Sequence, residues 1–402
     1  MRTAVIVLGD LGRSPRMQYH AVSLADAGGE VDLIGFAGTA VIPAVAGHAR
    51  IRVHRLADAG FGRSAGGLRR FVAGSAARVV SHAWQLFRHL MRIPAPDTLL
   101  VQNPPAVPTL AVAWCVARLR GARLVIDWHN LSHTVVAVKL GDHHRAVAAI
   151  ARSERRWALR ADAHLAVSRE LGDWLRRECG LPATVCYDRP VAAFAPPSPA
   201  AADALWTRLS GELRLPQQRL PIVVCPTSWT PDEDFDLLLE ALERAERRLA
   251  AREPQILICL TGRGPMRDAF AERVSRRSFS ALAVRLVWLE PADYPVLIGM
   301  ASLGVCLHQS SSGLDLPMKL ADLRGAGVPV ACFDYAPVLG EVMSDGWEGV
   351  WFRDPGDLAE ILVGVARGTH RAVSGAREWL AAHPPERWDA QWNASARHVL
   401  IK

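Results

Sequence analysis

Residues Leu303–Phe333 read "LGVCLHQSSSGLDLPMKLADLRGAGVPVACF". An apolar run, "LGVCLH", enters a turn of three serines and a glycine (Ser310–Gly313). A helical stretch follows from near Leu316-Pro317, and a second apolar run, "VPVACF", closes the unit. Two short, near-continuous apolar runs joined by a helix are the pattern of parallel strands covered on both faces. The alternation extends in both directions. The first half offers "TAVIVLGD", "EVDLIGF", "IRVHRL", "DTLLVQN", "ARLVIDWHN", "AHLAVS" and "ATVCYD" as strands. The second offers "PIVVCPTS", "QILICLTG", "AVRLVWLE", "LGVCLH", "VPVACF" and "GVWF". The fold class is therefore α/β, with two doubly wound parallel-sheet domains expected to face a cleft.

At 402 residues the chain suits two domains. The Pro- and Ala-rich "RPVAAFAPPSPAAA" (189–202) reads as the break. The expected division is a first domain at 1–190, a linker at 191–215, a second domain at 216–370 and a closing helix at 371–402. That last segment carries Trp379, Trp388 and Trp392 and is expected to pack back across another surface. The net charge of +7 is spread along the chain and matches no nucleic-acid-binding signature, so no nucleic-acid partner is expected. Seven scattered cysteines without a CxxC pair read as free thiols. The opening "MRTAVIVLGD" is a strand rather than a signal peptide, and no apolar stretch reaches the roughly 18 residues of a membrane span. Of 47 basic residues only Lys139, Lys319 and Lys402 are lysines.

Ligands of doubly wound sheets bind outside the carboxyl ends of the strands, so four post-strand loops matter most. In "GDLGRSPR" (9–16), Gly12 permits a tight turn and Ser14-Pro15 can start a helix. Free amides at a helix start attract phosphate, and Arg13 and Arg16 add charge. In "IDWHN" (126–130), Asp127 and His129 alternate on an extended backbone and project to one face. Either can serve as a general base; a structural Asp–His pair is the plain alternative. In "TGRGPMRDAF" (261–270), Gly262 and Gly264 flank Arg263 ahead of a helix expected near Pro265, a form suited to clamping diphosphate. In the opening stretch the serines and Gly313 can hold phosphate oxygens. One helical face then carries Lys319 for phosphate and Asp322 for a sugar diol.

The acidic "TPDEDFDLLLEAL" (230–242) reads as a helix start, with Thr230 and Glu233 forming a capping box. No HExxH or Cys/His cluster supports a metal site. From Ala59 to Pro96 there is no acidic residue, whereas Arg63, Arg69, Arg70, Arg78, Arg88 and Arg92 accompany apolar residues at helical spacing. A basic amphipathic helix over 66–93 is expected to lie against an anionic membrane.

The chain resembles nucleotide-sugar glycosyltransferases of the GT-B fold. "LGDLGRSPRMQYHAVSLA", "VQNPPAVPTLAV", "LVIDWHN", "SWTPDEDFDLLLEALE", the run "WLEPADYPVLIGMASLGVCLHQSSSGLDLPMK" and "ERWDAQW" together are similar to the chitobiosyldiphosphodolichol β-mannosyltransferase family, from about residue 3 to 395. The resemblance implies two Rossmann-like domains and inverting β1,4 transfer of mannose from GDP-mannose to a GlcNAc2-diphosphate-polyprenol, with no cofactor or metal. It places Arg263, Gly262, Gly264, His308, Ser311, Ser312, Gly313, Lys319, Asp322 and Glu341 at the donor, with guanine near Trp288–Tyr294. Gly12, Arg13, Ser14 and Arg16 fall at the acceptor diphosphate, and Asp127 or His129 is the base. It further implies a peripheral position on the cytoplasmic face of a membrane: endoplasmic reticulum in a eukaryote, inner membrane in a bacterium.

The sequence departs from the wider pattern in three ways. Asp315 and Asp322 are seven apart where two glutamates eight apart are usual. The loop after "PIVVCPTS" lacks a basic diphosphate ligand, and the sequence is read as being without the membrane anchor expected at the start of eukaryotic members. Two alternatives stay open: another GT-B enzyme acting on a different lipid-linked sugar or polysaccharide, and a catalytically silent partner subunit.

Overall fold

The computed structural model describes residues 1–57, 68–216 and 218–401, and of 68–76 the backbone alone. It divides into two units: Met1–Tyr187 with Asp389–Lys402, and Asp188–Trp388.

The first unit holds a seven-stranded sheet built from β1 (Arg2–Asp10), β2 (Glu30–Phe36), β3 (Ile51–Leu56), β4 (Thr98–Asn103), β5 (Arg123–Trp128), β6 (Ala163–Ala166) and β7 (Thr184–Val185). All are parallel, in the order β3-β2-β1-β4-β5-β6-β7. The second unit repeats the design with β8 (Ile222–Pro226), β9 (Ile256–Thr261), β10 (Leu282–Val287), β11 (Leu303–Cys306), β12 (Val330–Phe333) and β13 (Gly349–Phe352), in the order β10-β9-β8-β11-β12-β13. Each of the thirteen apolar runs anticipated as a strand forms one. The physical reason is burial on both faces: Val5, Ile6, Leu100, Val125, Ile258 and Val305 are essentially inaccessible.

Strand order reverses direction beside β1 and β4 in the first unit and beside β8 and β11 in the second. These are the switch points at which open α/β sheets take ligands. The loops after β1, β5, β8, β9 and β11 therefore carry the candidate site.

The division differs from the expected boundaries. Residues 191–215 are not an extended linker. Helix Pro199–Glu212, capped by Ser198, buries Leu205, Trp206 and Leu209 within the second unit. The closing segment is three helices rather than one (Arg371–Ala382, Trp388–Ala394 and Ala396–Leu400), and only residues from Asp389 onward group with the first unit. Trp392 is the anchor there, donating Nε1–H to His20 Nδ1 at 3.0 Å.

The acid-free segment forms helix Leu68–Arg92. Residues 66 and 67, Arg63 and the side chains of Arg69 and Arg70 lie outside the described residues. His82, Leu86 and Leu90 are buried at four-residue spacing, while Val80 is 67% and Trp84 61% exposed. Arg78, Arg88 and Arg92 share the exposed side. No helix among the described residues is long and apolar enough to cross a membrane.

Candidate active site

In the first unit the site is built on a buried ionic cluster. Asp127, at the penultimate position of β5, is fully inaccessible. Its Oδ2 accepts from Arg16 Nε at 2.8 Å and its Oδ1 from Arg16 Nη2 at 2.9 Å, a bidentate pair. A third Arg16 bond reaches the carbonyl of Cys186 at 2.8 Å. His20, one helical turn after Arg16, brings Nε2 to 3.3 Å from the same carboxylate. Because His20 Nδ1 accepts from Trp392, its proton sits on Nε2, facing Asp127. Burial alone would raise the Asp127 carboxyl, but the Arg16 charge and the hydrogen bond from His129 overrule it and hold the group well below the usual carboxylate range. Burial likewise lowers His20 below the ordinary histidine value, against the pull of Asp127.

His129 is the partly accessible member, 22% exposed, with Nε2 at 2.9 Å from Asp127 Oδ2. With its Nε2–H given to Asp127, the basic lone pair is on Nδ1. A carboxylate thus orients a half-buried imidazole whose other nitrogen can take a proton. The two candidates for the base therefore stand differently in the structure: Asp127 is shielded and committed, whereas His129 is reachable.

The first loop is also differently arranged from the expectation. Gly12 donates its amide to Asp10 Oδ1 at 3.0 Å, and Ser14 gives its hydroxyl to the Asp10 carbonyl at 3.2 Å. Asp10 is held in turn by the amide and hydroxyl of Thr39. These groups shape the turn, and Arg16 points into the buried cluster. Arg13 is the exposed basic residue of the four.

A second histidine–carboxylate pair lies nearby in sequence. Glu154, 3% exposed, accepts from Asn103 Nδ2 at 2.7 Å and the Ser132 amide at 2.8 Å, and its Oε2 lies 2.9 Å from His133 Nδ1. Nothing local in the sequence marks Glu154, which reaches these partners from helix Arg145–Ala158.

In the second unit three loops interlock. Gly262 has φ +93°, and a Cβ there would stand 2.0 Å from the Thr227 carbonyl oxygen; at Gly264 it would stand 2.1 Å from that of Ser228. Only glycine lets the loop after β9 lie this close to the loop after β8. Arg263, between them, is exposed, and its guanidinium lies 3.9 Å above the Trp288 ring. The helix after this turn begins at Arg267, two residues later than expected.

The acidic run 232–234 is not simply a cap. Asp234, not Thr230, caps helix Phe235–Leu249, accepting from the Leu237 amide at 2.9 Å. Glu233 turns inward, accepts from the amides of Ser228 and Trp229, both at 2.9 Å, and pairs with Lys319 Nζ. Burial would lower the Lys319 value, yet the Glu233 charge raises it, so the ammonium is retained. Asp232 Oδ2 lies 3.2 Å from His308 Nδ1, and Asp315 Oδ2 lies 3.1 Å from His308 Nε2. Burial opposes the charge on His308, but the two carboxylates win and push its value up to about 10. Ser310 donates to Asp315 and accepts from the Gly313 amide at 2.8 Å, which fixes the serine turn. Ser312 Oγ accepts from the Leu314 amide at 3.2 Å, and Ser311 and Glu341 are half-buried. Asp322 lies three residues beyond Lys319, its carboxyl raised well above the ordinary range by burial and by the charge of Asp188.

A glycosyl transferase 4-like domain is matched over residues 12–187. The chain is 33% identical to chitobiosyldiphosphodolichol beta-mannosyltransferase of Mus musculus over 98% of this chain and 88% of that one. The enzyme of the same name from Yarrowia lipolytica is 36% identical over 97% and 84%. The chain belongs to the chitobiosyldiphosphodolichol beta-mannosyltransferase family. It is a glycosyltransferase. A protein named UDP-glycosyltransferase TURAN from Arabidopsis thaliana is 34% identical over all of this chain and 97% of its own. Among solved structures, Anabaena HepE in complex with UDP and glucose matches with TM-score 0.68 at 15% identity over 99% of both chains. WaaG, a glycosyltransferase involved in lipopolysaccharide biosynthesis, matches at 0.66 and 14% over the whole of both. These share the GT-B fold.

For this beta-mannosyltransferase family member, His308, Lys319 and the serine turn converge on the loop after β8, and the glycines flanking Arg263 lie against the same loop. Asp127 and His129 come together, joined by Arg16; Gly12 and Ser14 do not join them. Sequence reasoning missed Glu233, Asp232, Asp315, His20 and Glu154. A four-residue spacing from Arg16 to His20 was available as a helical-face signal. Asp315, seven residues from His308, was within local reach but shows no periodic signal; Asp232, Glu233 and Glu154 meet partners too far away in sequence to be read.

Proposed function

We propose that this protein transfers mannose from GDP-mannose to a GlcNAc2-diphosphate-polyprenol, with inversion, at the surface of a membrane. The observation that carries the reading is the Asp127–His129 pair, with a shielded carboxylate orienting a reachable imidazole. In this reading His129 removes the proton from the attacking acceptor hydroxyl, while Asp127 positions the ring and stabilises the imidazolium that forms. The acceptor oxygen bonds to C1 of mannose as the C1–O bond to GDP breaks. In this reading charge on the departing diphosphate is met chiefly by Arg263, the exposed cation of these loops, with Lys319 and His308 adding N–H donors beside their carboxylate partners, and no metal takes part. Lys319 supplies the cation that the loop after β8 lacks. Asp322, its carboxyl raised by burial and by the charge of Asp188, suits hydrogen bonding to the ribose diol. In the first unit, Arg13 is the residue best placed for the acceptor diphosphate, with Gly12 and Ser14 shaping its turn.

Membrane contact is assigned to helix Leu68–Arg92. Its exposed side offers Val80 and Trp84 to acyl chains and arginines to anionic headgroups. The name of the Arabidopsis relative makes a UDP-sugar the donor to test against. Purified protein given a short-chain GlcNAc2-diphosphate lipid should transfer from GDP-mannose; transfer from UDP-glucose alone would overturn the donor assignment.

A further inference from the structure

We infer that the second unit carries a separate oxyanion site, lined by Arg324, Arg377 and Arg387, that takes a small phosphate, inorganic or carried on a sugar. A cavity of about 280 Å³ lies among these arginines, Leu380, Ala381 and Gly327. The cavity falls just under the roughly 300–1,000 Å³ of pockets for drug-sized ligands, which leaves room for inorganic phosphate or a sugar phosphate and not for a nucleotide sugar.

Its place in the fold is opposite to the donor loops. Those follow the carboxyl ends of β8, β9 and β11. The cavity residues Gly299 and Ala326–Gly327 precede β11 and β12, and Arg324 lies at the far end of helix Met318–Gly325 from Lys319.

The charge there is unbalanced. Arg324 pairs with Glu348 at 3.2 Å. Among the described residues Arg377 and Arg387 have no carboxylate within ion-pair distance. They are held instead by carbonyls: Arg377 Nη2 by Ala301 at 2.7 Å and Ser302 at 2.9 Å, and Arg387 by Phe194 at 2.6 Å and Gly325 at 3.2 Å. These bonds fix the guanidinium planes without neutralising them. Each guanidinium offers five N–H donors, and the contacts use at most three of any one. Arg324 is 9% exposed, and its Nε–H is buried without a partner. Burial lowers the values of Arg324 and Arg377, as expected for cations short of counter-charge. Three positioned forks around one small cavity with one carboxylate among them match the geometry by which arginine recognises phosphate.

The test uses the whole chain saturated with GDP, so that the donor site is filled. Inorganic phosphate and glucose 6-phosphate are titrated by calorimetry and thermal melting, with glucose and matched sodium chloride as controls. Saturable binding with a raised melting temperature is expected for the phosphates only. Arg377→Ala should weaken it at least about tenfold without changing phosphate-free glycosyl transfer. Ala381→Glu places a carboxylate at an exposed lining position and should abolish binding in a folded protein. Phosphate effects equal to those of chloride, or binding unchanged in Ala381→Glu, would overturn the proposal.

Discussion

His129 and Asp127 share one face of a strand end, and burial separates their roles. Replacing His129 with Ala should lower kcat by about 10²–10⁴, the usual contribution of a general base, with GDP binding by calorimetry unchanged. Asp127→Asn should also slow turnover, and it should destabilise the protein by about 3–5 kcal/mol because Arg16 is left buried without its counter-charge. An Asp127→Asn protein that melts like wild type would contradict the buried cluster. His308 yields a pH prediction. Its folded value, about 10, lies above the unfolded one of about 6.5. The stabilisation is therefore complete below about 6.5 and fades as pH rises through about 10. GDP affinity should show no inflection near the ordinary histidine value and should weaken only toward the higher one. An inflection near neutrality would show that His308 is not held charged.

At the scale of elements, the loop after β8 and helix Leu68–Arg92 are the informative pieces. Glu233→Ala removes the acceptor of two loop amides and strands Lys319, so thermal melting should report a loss of about 3–5 kcal/mol. Glu233→Gln, which can still accept an amide, should fall between. A near-neutral Glu233→Ala would mean that the loop is held by other contacts. On the helix, each arginine near an anionic surface contributes about 1 kcal/mol. Replacing Arg78, Arg88 and Arg92 with Gln should therefore cut partitioning onto phosphatidylserine vesicles by roughly 10²-fold; unchanged partitioning would reject this helix as the contact. These elements also show what the sequence discloses. Strands were legible because burial on both faces writes a continuous apolar run such as "RLVIDW". The acidic run 232–234 was misread because capping is a local rule: Thr230 and Glu233 have capping-box spacing, yet Asp234 is the cap. What turns Glu233 inward is Lys319, 86 residues away. Arg16 and Asp127, 111 residues apart, were each visible, but their pairing was not.

At the scale of the molecule, the chain repeats one doubly wound design twice and uses the switch point of each sheet. The repetition could be read from alternating apolar runs. The boundaries could not, because the alanine- and proline-rich break contains a helix that buries its own apolar face in the second unit. Family membership follows from identity over nearly the whole chain; the donor, the acceptor and the stereochemistry are proposed from the family resemblance. The decisive measurement is the product formed by purified protein from GDP-mannose and a short-chain GlcNAc2-diphosphate lipid, resolved by NMR of the new anomeric centre, with UDP-glucose as rival donor. The account predicts a single β-linked mannose from GDP-mannose, lost in His129→Ala. An α-linked product, or transfer from UDP-glucose and not from GDP-mannose, would contradict it.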